Sequence, residues 1–577
     1  MRRGAAAGAA TAAVLLCGCG AAPTGGPRLP AAYGQGTPAA TLSAAPPAQA
    51  PPALTPAAVD TAVARLDGIV RDVMGRTGVP GMAVAVVYRD RVAYLKGFGV
   101  RRAGSPGAVG PDTVFQLASV SKPLATTVVA RVVGRGPVGS GAVGQGAVGW
   151  DDPVVRHDPG FALKDPWVTR HVTLADLFSH RSGLPDHAGD LLEDLGYGRR
   201  HILRHLRDEP LGPFRAQYAY TNFGFTEAAL AVARAAGLSW AKLSRTLLYD
   251  PLGMRSTSSL FSAYDKARDR AVGHVRVDGH WEARHTRDAQ AQSPAGGASS
   301  TARDLTAWLR LLLGGGVYAG KRLIPASALD QTYLPHILSA RPAAPYGVPG
   351  FYGLGWNVGY DDLGRLRLGH SGGFELGAAT NVTMLPSEGL GVVVLTNGQP
   401  VGAAEAVALT FLDVAGHGRQ TVDWLRLAGD AFARTAREAR PATDYGRPPA
   451  DAAPARPASS YTGVYANGHY GPLTVTEEGG GLVMRLGPEP LRLPLRHYAG
   501  DTFAYRTPGE NAVGLAGVRF AAGADGRAAK VTVENLDHTG LGTFTRTPSE
   551  HGLEWGGPGP GRPAGETSPR EVPCRSR

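Results

Sequence analysis

Apolar residues recur at helical spacing from Val59 to Arg76, with Val63, Leu66, Ile69, Val70 and Val73 on one face. This pattern predicts an amphipathic helix. The period then changes. Gly81 to Val100 reads as two strands, Met82–Tyr88 and Val92–Phe98, joined at Arg89-Asp90-Arg91. Helical spacing returns over Leu117–Val133, and a glycine-rich stretch, Gly134–Gly149, reads as a loop insertion. Mixed helices and loops run to about Leu312. Strands resume from Tyr352 and are clearest at Val393–Thr396. Two helical segments, Ala403–Val414 and Trp424–Arg440, lead to a proline-rich joint at Arg447–Pro457. Beyond it, short alternating runs follow closely: Tyr461–Tyr465, Leu473–Thr476, Leu482–Leu486, Thr502–Tyr505, Val518–Phe520 and Val531–Val533. Gly, Asn and Asp punctuate them, which predicts a small all-β barrel or sandwich.

Composition narrows the class. With 43% hydrophobic and 19% charged residues among 577, most of the chain is expected to be globular. The 80 glycines and 45 prolines have no period, so collagen is excluded. Three cysteines exclude a disulfide scaffold and a Cys-rich metal domain. The net charge of +11 is scattered, without a basic stripe or a recognisable nucleic-acid module, so no nucleic-acid partner is expected.

The first residues are Met1-Arg2-Arg3 followed by an apolar run from Gly4 to Leu16, too short for a comfortable membrane span. They read as a secretory signal. The sequence Leu16-Cys17-Gly18-Cys19 resembles a bacterial lipoprotein box with Cys19 lipidated, predicting an exported protein tethered to the membrane, or a secreted one. The expected organisation is a signal at 1–19, a disordered tether at 20–57, a catalytic domain at 58–446, a linker at 447–457, a β-barrel at 458–548 and a disordered tail at 549–577 holding Cys574.

The chemistry begins at Ser119-Val-Ser-Lys122. At a helix N-terminus, Ser and Lys three apart share a face, and a lysine there lowers the barrier to deprotonating the serine. Ser239-Trp-Ala-Lys242 repeats the spacing, but only Ser119 is followed by Tyr220-Thr-Asn222 and then by His370-Ser-Gly372. That order is the three-part signature of penicillin-recognising serine hydrolases.

On these motifs the chain resembles the serine β-lactamase superfamily, in the branch of class C β-lactamases, D-alanyl-D-alanine carboxypeptidases and esterases. Trp150-Asp-Asp-Pro153, Thr173 to His180, Pro251-Leu-Gly-Met254, Ala295-Gly-Gly297 and Tyr352-Gly-Leu-Gly-Trp356 match as well, and the likeness covers about Val59 to Asn397. The β-rich 458–548 segment is similar to the lipocalin-like domain that follows some of these peptidases. The resemblance implies an α/β (α+β) domain with an antiparallel sheet and a helical subdomain, then a small barrel. It implies Ser119 as nucleophile, with Lys122 and Tyr220 sharing the general-base work. A tyrosine base needs a neighbouring cation to favour phenolate. Asn222 is then expected to orient the lysine or the substrate amide. The backbone N–H groups of Ser119 and Gly373 would form the oxyanion hole beside Gly372, and His370 and Ser371 would contact a substrate carboxylate. No metal or organic cofactor is implied.

Histidine in the third motif is mostly neutral at pH 7, where many β-lactamases carry lysine, and this favours a peptidase or esterase over a β-lactamase. A small peptide, ester or amide substrate follows, a peptidoglycan fragment among them. A penicillin-binding sensor or scaffold without turnover stays open, as does a β-lactamase; the oligomeric state is not legible. Gly369-His-Ser-Gly-Gly373 also fits a nucleophile elbow, but no helix is predicted after Ser371 and the downstream acid and histidine are too close. His280-Trp-Glu-Ala-Arg-His285 has the wrong spacing for a zinc protease, and His180 and His187 are expected to be structural.

Overall fold

The computed structural model describes residues 53–135 and 148–548. The signal, Cys19 and most of the tether lie outside the described residues, as do the core of the glycine-rich insertion and the tail with Cys574. The tether's last residues belong to the fold. Leu54 is buried, its N–H donates to Glu388 and its carbonyl accepts from Tyr88 Oη. Thr55 then caps α1 (Pro56–Thr77) by accepting from Ala58 N–H, three residues before the helix suggested by apolar spacing.

An eight-stranded, wholly antiparallel sheet forms the centre. Its strands are β1 (Gly81–Tyr88), β2 (Arg91–Gly99), β3 (Ile337–Ala343), β4 (Val348–Tyr352), β5 (Asn357–Tyr360), β6 (Leu366–Phe374), β7 (Ala378–Leu385) and β8 (Leu390–Thr396), in the order β2-β1-β8-β7-β6-β5-β4-β3. The β1–β2 turn takes two residues, Arg89 and Asp90, both left-handed. β1, β7 and β8 are buried along their whole length, because both faces are covered. One face holds α1 and α6 (Ala403–His417), with α7 (Trp424–Glu438) against α6. The other carries the helical subdomain, including α2 (Ser121–Val133), α3 (Asp190–Asp194), α4 (Asn222–Ala235) and α5 (Ala302–Leu313).

The C-terminal segment closes into an eight-stranded antiparallel barrel: β9 (Gly463–Ala466), β10 (Leu473–Glu478), β11 (Gly481–Leu486), β12 (Leu491–Ala499), β13 (Thr502–Arg506), β14 (Leu515–Ala522), β15 (Ala528–Val533) and β16 (Thr543–Arg546). The alternating runs point to six of these. β12 and β16 escape such a reading because Pro494 and several arginines and threonines dilute their apolar positions. Among the described residues no helix is long and apolar enough to cross a membrane.

Candidate active site

Ser119 lies on a short 3-10 turn, Ala118–Val120, that feeds directly into α2. Ala118 is held in a left-handed conformation, an unusual state for a residue with a side chain, just before the serine. The turn is fixed from both sides. Leu117 N–H donates to Ala298, and Ser121 Oγ accepts from Ala298 N–H. Thr380 Oγ1 donates to Leu117 O. Gly372 of β6 packs against the same turn, and a Cβ there would lie 2.3 Å from Leu117 O and 2.9 Å from Ser119 N. Only glycine fits such an approach. β5 pairs with β6 only as far as Gly369, so the β6 edge beyond it is not covered by β5.

Lys122 is completely buried one turn after Ser119. Its Nζ lies 3.2 Å from Ser119 Oγ, 2.7 Å from Asn222 Oδ1 and 3.2 Å from Ala295 O. Two of these partners are carbonyl oxygens that only accept, which leaves the third direction for the serine. Burial drives the lysine down to about 7, against the opposing pull of Asp190. A large fraction is therefore a free amine at neutral pH.

Tyr220 Oη donates to Ser119 Oγ at 2.8 Å, and its ring lies 4.3 Å from Lys122 Nζ. The expected phenolate is not what this environment favours. Burial pushes the phenol above its ordinary range, and the Asp190 and Asp186 charges push it the same way. Tyr220 is thus a neutral phenol that donates to Ser119 Oγ, beside the buried Lys122 amine.

The loop that carries Tyr220 is built on His180. Its Nδ1 accepts from Thr221 N–H, its backbone carbonyl accepts from Ala219 N–H, and its ring packs 4.5 Å from the Tyr220 ring. Asp176, which caps the helix before it in a reciprocal box with Thr173, also holds Arg181 and Arg215. His180 is structural, as expected, in the sense that it positions Tyr220. His187 reaches further: its Nδ1 lies 2.8 Å from Asp190 Oδ2, which also accepts from Asn222 Nδ2 at 2.8 Å. Burial works against charge on His187, but the hydrogen bond to Asp190 and the Asp190 and Asp186 charges outweigh it and raise the imidazole to about 9. The chain His187–Asp190–Asn222–Lys122 therefore fixes the amide so that its oxygen faces the lysine. Neither Asp190 nor its role was marked by any motif.

The third motif departs from expectation. His370 is buried, and both ring nitrogens are used. Nδ1 lies 2.6 Å from Ser371 O, so it carries the proton, and Nε2 accepts from Tyr352 Oη at 2.9 Å. Burial, with Lys122 nearby, drives the imidazole down to about 3. A neutral ring with both nitrogens engaged does not anchor a carboxylate. Ser371 Oγ accepts from Asn381 Nδ2 at 3.1 Å and lies beside the Glu405 carboxyl. His370 and Ser371, expected to meet a substrate carboxylate, are thus surrounded by neutral partners and the Glu405 carboxyl rather than by a cation.

Ser239, the competing serine, is exposed and caps a short helix by accepting from Lys242 N–H, with none of the partners that surround Ser119.

The barrel also reaches this region. In the 507–514 loop, Glu510 N–H and the Asn511 N–H and Nδ2 donate to Asp194 at 2.8, 2.9 and 2.9 Å. Glu510 accepts from Glu375 N–H, one residue past β6, and Arg287 lies between Glu193 and Glu510. The loop thus ties the end of the third-motif strand to α3, the helix that carries Asp190.

A serine with a buried, neutralised lysine and a tyrosine donor, between an antiparallel sheet and a helical subdomain, defines a serine hydrolase of the penicillin-recognising fold. The chain belongs to the β-lactamase family, whose model matches residues 66–416; a second match, to a domain of unknown function named DUF3471, covers residues 447–545. It is 28% identical over 430 residues to a protein named unguisins hydrolase ungD' of Aspergillus campestris, covering 70% of this chain and 76% of that one. It is 24% identical over 338 residues to the D-alanyl-D-alanine-carboxypeptidase/endopeptidase AmpH of Escherichia coli, covering 56% of this chain and 81% of that one. The fold is shared with the octameric penicillin-binding protein homologue from Pyrococcus abyssi, at a TM-score of 0.52 and 18% identity over 82% of this chain and 98% of that one.

Proposed function

We propose that the chain is a serine peptidase or esterase that works through an acyl-enzyme on Ser119, with a peptide carrying a D-amino acid, an ester or an amide as substrate. The observation that carries this reading is the Lys122 amine, 3.2 Å from Ser119 Oγ and held near 7 by burial. As a free amine it takes the Ser119 proton while Oγ attacks the substrate carbonyl. The backbone N–H groups of Ser119 and Gly373 receive the developing oxyanion. Tyr220, a neutral phenol in contact with Oγ, passes a proton to the departing amine or alkoxide, and the Lys122 ammonium returns the Ser119 proton to the resulting phenolate, so both start the second half in their original states. Water then repeats the sequence on the acyl-enzyme. The neutral His370 supports a peptidase or esterase over an efficient β-lactamase, since no fixed cation stands at the third motif. Relatives named hydrolase and carboxypeptidase/endopeptidase support the same class. The first 19 residues support export with an anchor at Cys19.

The test is acylation mapping. The soluble protein is incubated with a fluorescent penicillin and, separately, with a p-nitrophenyl ester, and the adduct is located by mass spectrometry. The expected adduct is on Ser119, with ester turnover lost in Ser119→Ala. An adduct on Ser371, or full turnover by Ser119→Ala, refutes the reading.

A further inference from the structure

The turn between β6 and β7 leaves two backbone donors for the barrel to meet. β6 ends at Phe374, β7 starts at Ala378, and Gly377 N–H closes the turn on Phe374 O. Backbone N–H groups are obligatory donors, and those of Glu375 and Leu376 find no acceptor in the hydrolase domain among the described residues. Both donate to one barrel side chain, Glu375 to Glu510 Oε1 at 2.6 Å and Leu376 to Glu510 Oε2 at 3.4 Å. The other side of the turn packs on the chain at Gly273 and His274, where a Cβ on Gly377 would lie 2.4 Å from His274 N. The turn is therefore gripped from two sides, and one of them is the barrel.

The barrel loop is shaped for this contact. Gly509 is left-handed at φ 89°, and a Cβ there would lie 2.3 Å from the Asp194 carboxylate. Asp194 accepts from Glu510 N–H, so the backbone of Glu510 is tied to α3 while its side chain reaches the turn. Burial pushes the Glu510 carboxyl up to about 8, against the pull of Arg287, so the acid form prevails at neutral pH and its oxygen still accepts. Arg287 lies 3.7 Å from Glu510 Oε2 and 5.6 Å from the centre of the Phe374 ring. Phe374 in turn packs with Ala118, the left-handed residue before Ser119, and it directly follows Gly373.

We propose that Glu510 is a positioning residue for the oxyanion hole: by holding the Phe374–Gly377 turn from the barrel, it places Gly373 N–H directly and Ser119 N–H through the packing of Phe374 on Ala118. The inference rests on the reading of those two N–H groups as the hole, and it makes the barrel a working part of the active site. Deleting one oxyanion donor costs about 10²–10³ in kcat; displacing one costs less, and about tenfold is expected here. Glutamine keeps an acceptor at the same reach and is expected to keep the rate.

The experiment compares Glu510→Ala and Glu510→Gln with wild type on an ester and on its thionoester, in which sulfur replaces the carbonyl oxygen. N–H donors placed for an oxyanion favour oxygen, so wild type should prefer the ester at least tenfold in kcat/KM beyond the ratio seen with hydroxide in solution. Glu510→Ala should lower kcat for the ester about tenfold with KM within about twofold, and shrink that preference at least threefold. Glu510→Gln should stay within about threefold of wild type in both. Unchanged kcat in Glu510→Ala, a loss that leaves the preference intact, or a glutamine variant as slow as alanine overturns the proposal. Should Glu510→Ala fail to fold, Glu510→Asp decides, since its shorter arm withdraws the acceptor: the same loss supports the proposal, and wild-type behaviour overturns it. The levels separate cleanly. Hydrolysis by Ser119→Ala would refute the nucleophile, absence of the preference in wild type would refute the hole and the proposal with it, and a preference that survives in Glu510→Ala would refute the role of Glu510 alone.

Discussion

Replacing Tyr220 by Phe separates the two candidate bases. Lys122 falls from 10.5 to about 7, which corresponds to roughly 5 kcal/mol against its ionisation, at about 1.4 kcal/mol per unit. That cost comes from burial. Phenylalanine keeps the ring that lies 4.3 Å from Nζ and so keeps the burial. If Lys122 is the base, wild-type kcat/KM rises with pH through a limb near 7, because the deprotonated amine is the active form. Below the limb it falls about tenfold per unit, to about 1% of plateau two units down. Tyr220→Phe loses the 2.8 Å donor to Ser119 Oγ and so a general-acid contribution of about 10²–10⁴, or roughly 3–5 kcal/mol of barrier. The limb itself should stay within about half a unit of its wild-type position. The assay is hydrolysis of an amide substrate, such as a peptide p-nitroanilide, whose leaving nitrogen needs a proton, from about pH 5 to 9 for both proteins. A variant whose residual rate no longer depends on pH would make the phenol the titrating base and refute the assignment to Lys122.

Two further outcomes follow from contacts described above. Ser239→Ala should cost about 1 kcal/mol of stability through the lost helix cap, read as a lower unfolding midpoint, with ester turnover retained. Loss of turnover would mean the second Ser-x-x-Lys pair had been misjudged. Asp194→Ala removes the acceptor for three barrel-loop donors, so amide exchange at Glu510 and Asn511 should quicken at least tenfold; unchanged exchange would mean that the loop is held by something else.

The parts of the site legible from sequence are those set by local geometry. Ser119 and Lys122 are one helical turn apart, and any helix starting there brings them together. The order of the three motifs sufficed to place Tyr220, Asn222 and His370 around them. Asp190 was invisible, because it reaches the site through contacts between residues far apart in sequence and has no spacing signature. The protonation of Tyr220 and His370 is hidden from the sequence for a related reason. Residue type suggests what a side chain can do, but the protonation state is set by burial, and burial is a property of the whole fold. The barrel divides the same way. Its six well-alternating strands are plain, while β12 and β16 are strands because their neighbours pair with them, not because their own residues insist.

The loop between β13 and β14 changes how the proline-rich joint should be understood. The joint marks a change in composition, and by that criterion the hydrolase could be cut free at 447–457. Yet Asp194 spends its acceptors on barrel amides, Glu375 N–H has its acceptor in Glu510, and Tyr197 donates to Tyr470 O across the same boundary. Severed at the joint, the remaining piece would keep Arg287 and its ion pair with Glu193, but lose Glu510 beside Arg287 and the three donors on Asp194, one turn of helix away from Asp190. The compositional border is therefore bridged by barrel hydrogen bonds that end on α3, the helix whose first residue, Asp190, holds Asn222 against Lys122.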